Sequence, residues 1–136
     1  MKRLLLLLLC LLLAAALVSC DRSDDVISDF RDAGWTVAEL DLDEEEDHAI
    51  LKKMLTDKDI EAIPDCDIIV AFKAGIPLAC VLAFDSRVDL RHYIETLDAD
   101  KQEAAVAEGR IRGNCYLRYA GGGNSKSGAR AIFAEA

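Results

Sequence analysis

Three stretches of the chain hold residue types that could do chemistry. The first is D-L-D-E-E-E-D-H at residues 41–48. A hard cation such as calcium takes about six to eight oxygens from a loop with a glycine bend and a bidentate glutamate at its twelfth place. Here the glycine is missing, and the twelfth place is Lys52. These acids fit the solvated start of a helix, where they meet the positive end of its dipole. The second stretch, A-G-G-G-N-S-K-S-G at 120–128, runs from an expected strand toward an expected helix. Backbone amides at such a junction can hold an anion, so Gly121, Gly122, Gly123, Ser125 and Lys126 form a candidate anion loop. Lys126-Ser127 mimics the Lys-Ser pair of a phosphate-binding loop, but Ser125 stands where a glycine should precede the lysine. A flexible turn with Ser125 or Ser127 as helix cap accounts for the same residues. The third is the pair His48 and His92. Zinc needs three or four converging ligands, and the chain has no H-x-x-x-H and no cysteine pair at finger spacing. No metal and no other cofactor is expected. With no G-x-S-x-G elbow either, no residue stands out as catalytic.

The five cysteines tell more. Cys20 closes the sequence L-V-S-C at residues 17–20, directly after a leucine-rich run that opens M-K-R-L-L-L. The apolar segment Leu4–Val18 is 15 residues long, short of the roughly 20 that span a bilayer as a helix. Lys2 and Arg3 lead it and a small residue, Ser19, ends it, the layout of a secretory signal. Leu17-Val18-Ser19-Cys20 resembles the lipobox of bacterial lipoprotein precursors. The resemblance covers residues 1–20 alone. It implies a diacylglyceryl group, with fatty chains such as palmitate, on the Cys20 thiol, and cleavage between Ser19 and Cys20. Cys10 does not fit that role, because Leu9 is too large for the cleavage position and the apolar run continues past it. Two acyl chains anchor a protein stably where one binds only reversibly. The expectation is a cell-membrane protein, lipid-anchored on the extracytoplasmic side, without a spanning helix.

On that reading residues 1–19 are a cleaved signal peptide. Residues 20–23 are the lipidated cysteine and a short tether, and 24–136 form a single α+β domain. Removing Lys2 and Arg3 from the 16 bases leaves 14 against 25 acids, a formal charge of −11. Such a balance disfavours nucleic acid and anionic head groups as partners. Cys66, Cys80 and Cys115 remain, all in or beside apolar expected strands, and read as buried thiols more than as a bridge and a spare.

The elements that must carry these residues follow from periodicity. Val26, Ile27, Phe30 and Ala33 share one face of a helix from Asp24, with Ser23 to cap it and Gly34 to end it. A strand over W-T-V-A-E-L-D-L, residues 35–42, comes next. The acids at 43–47 then open a helix with Ile50, Leu51, Met54 and Leu55 as its buried stripe. Residues 56–66 are a connector. D-I-I-V-A-F-K and I-P-L-A-C-V-L-A-F flank Ala74-Gly75 and read as a central antiparallel hairpin. Leu90, Tyr93, Ile94 and Leu97 mark a helix capped by Asp85 or Ser86. Asp100 and Glu103 suggest a capping box for its continuation, which Gly109 terminates. A second hairpin turns at Gly113-Asn114, 121–128 is loop, and Ala129, Ile132 and Phe133 mark a closing helix. The order predicts an α+β fold: a mostly antiparallel sheet with helices packed against it, ferredoxin-like in its second half. The expected role is a non-enzymatic acidic binding module for a protein or peptide partner. The alternatives are a small-ligand-binding lipoprotein and, behind it, an extracytoplasmic enzyme.

Overall fold

In a computed structural model the described residues are 23–121 and 124–134, and in the last helix side chains are described for 128–133. The elements run α1 (Ser23–Asp32), β1 (Thr36–Leu40), α2 (Glu45–Lys52), α3 (Asp57–Glu61), β2 (Asp67–Lys73), β3 (Ile76–Ala83), α4 (Arg87–Glu95), α5 (Ala99–Ala107), β4 (Ile111–Arg112), β5 (Cys115–Ala120) and α6 (Asn124–Ala134). The fold is α+β. One five-stranded sheet, in the order β1-β2-β3-β5-β4, is antiparallel at every pairing.

The unbroken apolar runs of β2 and β3 have a simple cause: both faces of the sheet are covered. Ile68, Val70, Cys80, Leu82 and Tyr116 point to a layer that holds Leu51, Ile60, Leu90, Tyr93 and Ala105 of α2 to α5. Ile69, Ala71, Val81 and Leu117 point the other way, to Val26 and Phe30 of α1 and Ala129 and Phe133 of α6. Burying a leucine such as Leu82 or Leu117 completely contributes about 1.5–3 kcal/mol; both have no exposed surface.

The strand order β2-β3-β5-β4 suits a ferredoxin-like second half. A fold of that kind, however, keeps its helices on one side of the sheet, and here α6 lies opposite α4 and α5. The reason is β5, which delivers Cys115, Leu117 and Ala120 to the α1 side, where only a terminal helix can cover them.

Several boundaries differ from the sequence reading. Ser23 already lies within α1 rather than capping it. Gly34, at φ +90°, ends that helix, and Trp35 N–H bonds back to the Phe30 carbonyl at 3.0 Å. β1 stops at Leu40, because Asp41 N–H turns aside to Asp47 Oδ2 at 2.8 Å. The connector 56–66 contains α3, opened by a capping box in which Thr56 Oγ1 accepts from Asp59 N–H and Asp59 returns the bond. Ser86, not Asp85, caps α4. The Asp100–Glu103 box does not form; α5 starts at Ala99, which puts Asp100 inside its first turn as a dipole acid.

At the β2–β3 turn both Ala74 (φ 53°) and Gly75 (φ 78°) are left-handed. Glycine takes this conformation freely, but alanine strains in it by roughly 1 kcal/mol. Asparagine tolerates it and is favoured at the first position of such hairpin turns. Ala74→Asn should therefore raise stability by about 0.5–1 kcal/mol, seen as a higher urea midpoint with an unchanged slope.

Candidate functional site

Antiparallel pairing of Leu40 with Ile68 makes the chain leave β1 and enter β2 side by side. The segments beyond, 41–43 and 63–67, diverge and leave a cleft of about 670 Å³ between them. Its wall holds Glu39, Asp41, Asp43, Asp65 and Asp67 among apolar residues and Cys66, with no basic side chain. Two neighbouring hollows extend the same face. One of about 530 Å³ shares Pro64 and Asp65 and adds Asp85, Asp89 and His92. The other, of about 500 Å³, shares Leu42 and Asp43 and adds Glu44, Glu45, His48 and Lys52. One end of the sheet is thus rimmed by carboxylates contributed by three separate chain segments, 39–45, 65–67 and 85–89.

Two acids of the 41–48 run are already used by the loop itself. Asp41 Oδ1 accepts from Asp43 N–H at 3.0 Å, and Asp47 holds the Asp41 amide. Glu45, Glu46 and Asp47 occupy the first turn of α2, where the dipole favours them. His48 and His92 line different hollows and share no site. Among the described residues no group of three or more His, Cys, Asp or Glu could hold a metal ion.

The thiols are poorly suited to nucleophilic work. Burial first, then the charges of Asp67, Asp65 and Asp85, push the Cys66 thiol up to about 12. Burial pushes Cys80 to about 12 as well. A reactive cysteine needs the opposite, an electropositive surrounding that favours thiolate. Among the described residues Cys66, Cys80 and Cys115 form no disulfide.

Behind the rim lies a feature that the sequence pattern hides. Tyr119 pairs with Cys80 and Leu117 with Val81, so Arg118 is an extra residue in β5, a bulge. Its side chain is 12% exposed, and its guanidinium sits 3.1 Å from Asp59 of α3 and beside the Tyr93 hydroxyl. The pair pins α3 to the sheet, and α3 in turn sets the course of the 63–67 wall.

Of the other sequence candidates, Gly121 is the one described in full. Gly121 serves packing: its N–H donates to the Leu78 carbonyl at 2.6 Å, and a Cβ there would come within 2.7 Å of Leu78 Cδ2. The expected loop over 121–128 is also shorter, since α6 begins at Asn124. Gly122 and Gly123 lie outside the described residues, as do the side chains of Ser125 and Lys126. Ser19 and Cys20 lie outside them too. Among the described residues no helix is long and apolar enough to cross a membrane.

No protein-family profile matches the chain, and neither curated proteins nor solved structures provide a match.

Proposed function

We propose that this chain is the precursor of a bacterial envelope lipoprotein. Its domain, tethered by diacylglyceryl-Cys20, captures a cationic segment of a protein or peptide partner. The anchor rests on Leu17-Val18-Ser19-Cys20 behind Lys2-Arg3 and the apolar run. The binding role rests on one observation: a cleft walled by five carboxylates with no base among them. A recess of one sign focuses its field, which attracts an opposite charge and speeds encounter. Small-molecule sites are mostly apolar with a few placed polar groups, whereas this wall carries five carboxylates of one sign. The raised thiols and the separated histidines favour binding over catalysis.

Mass spectrometry of the N-terminal peptide from native membranes tests the anchor. A diacylglyceryl mass on Cys20 is expected, absent from a Cys20→Ala variant together with its partitioning into detergent. An unmodified, full-length chain in the membrane would end that part of the reading.

The binding role is tested with an oligolysine peptide and a variant combining Glu39→Gln, Asp43→Asn, Asp65→Asn and Asp67→Asn. Each partly screened charge contributes about 0.2–1 kcal/mol, so the four together should weaken binding roughly 30-fold. Wild-type affinity should also fall steeply with salt. Equal affinity of the two proteins would count against the cleft.

A further inference from the structure

The two edges of the sheet are finished differently. On one side β4 is only two residues long, and a short edge strand offers little to pair with. On the other, β1 pairs with β2 in unbroken register from Thr36↔Phe72 to Leu40↔Ile68. β1 carries no lysine, arginine or proline and no bulge; Glu39 is its one charge, which guards the edge against acidic segments and not against basic ones. Among the described residues no strand lies on its outer side. α1 covers one face of the sheet and α2 and α3 the other, which leaves the edge itself open.

In an antiparallel ladder every second residue turns its N–H and C=O away from the neighbour. A partner strand on β1 would thus make about four to six backbone hydrogen bonds. β1 also runs directly into the acidic cleft, since Glu39, Leu40 and Asp41 belong to both. We infer that β1 is a docking strand, on which an extended Lys- or Arg-rich polypeptide segment adds as a sixth strand with its basic side chains over the cleft. The inference rests on the binding role proposed above and supplies its mode. Charge selects the occupant: every charged residue lining the cleft is acidic, and a second copy would bring another chain of formal charge −9. About eight extended residues, at ~3.3 Å each, cover β1 and reach the 41–43 wall. Backbone pairing supplies affinity in such complexes and the side-chain surroundings supply selectivity.

The test uses the full chain in an uncharged detergent and an eight-residue peptide of alternating lysine and threonine. A second peptide has the same sequence with every amide N-methylated, which keeps the charges but cannot donate to a strand edge. The unmodified peptide should bind at least 10-fold more tightly, and it should slow hydrogen exchange at the outward amides of Thr36–Leu40 at least 10-fold. Equal affinity with unchanged exchange in β1 would overturn the docking strand and leave the acidic cleft as a purely electrostatic site. Failure of both peptides to bind at low salt would remove the cleft's role as well. A concentration-dependent dimer with β1 amides already protected would instead assign the edge to a second copy and overturn the inference.

Discussion

Phe133→Ala should destabilise the domain by about 3–5 kcal/mol and lower its melting temperature by 10 °C or more. Phe133 has no exposed surface. It packs in the layer that also holds Val26, Phe30, Leu117 and Ala129, and truncating it leaves a cavity that two helices and a sheet cannot close without moving. A domain of this size has a total stability of about 5–15 kcal/mol, so the loss is a large share of the whole. Urea titration followed by tryptophan fluorescence measures it, because Trp35 lies in the same layer. Val106→Ala is the control: that side chain is 76% exposed, and its change should stay within about 0.5 kcal/mol. A Phe133→Ala loss below 1 kcal/mol would mean that α6 does not close the face.

The second large effect is expected at Arg118. Arg118→Ala removes the partner of Asp59 and of the Tyr93 side chain at once. Breaking a fully buried pair costs about 3–5 kcal/mol. Asp59 keeps 31% of its side chain in water, so about 2–3 kcal/mol is the fitting figure. Arg118→Met, which retains the apolar stem, should recover part of that. The loss carries a pH signature. Burial raises the Asp59 pKa, but the hydrogen bonds with Thr56 and the Arg118 charge together outweigh it and hold the carboxyl below 3.8. A depressed carboxylate pKa contributes stability above its unfolded value and loses it as pH falls through the folded one. The wild type and Arg118→Ala should therefore differ most near neutrality and converge below pH 3.8. A gap that persists in strong acid would assign the effect to packing rather than to the ion pair.

Much of the scaffold was legible because its signals are local. The two hairpins announce themselves through β-rich runs around Ala74-Gly75 and Gly113-Asn114, and α4 through Leu90, Tyr93 and Ile94 behind Ser86. α3 was missed because five residues offer one buried apolar position, Ile60, too few to reveal a period. The start of α6 was missed because Asn124, Ser125, Ser127 and Gly128 favour turns; burial of Ala129 and Phe133 holds that helix against local preference. The acidic run at 41–48 was visible, yet the cleft was not. Asp65 and Asp67 lie 17 and 19 residues beyond its end, and only the β1–β2 register brings them opposite. Arg118 was the least readable of all, since a lone arginine between Leu117 and Tyr119 looks like an ordinary solvent-facing strand position. Alternation from Tyr116 does put it on the α2–α5 face, but that this face is covered there, with Asp59 waiting, is a tertiary fact.

The layer shared by α1 and α6 bears on how the polypeptide must be made. α1 and α6 touch each other as well as the sheet, so the earliest and latest described segments close the same side together. A ribosome releases them in order, with β2, β3 and β5 between. Ile69, Val81 and Leu117 therefore have α1 alone to cover them on that side until residues 124–134 have emerged. During that interval the nascent chain is greasy and unfinished.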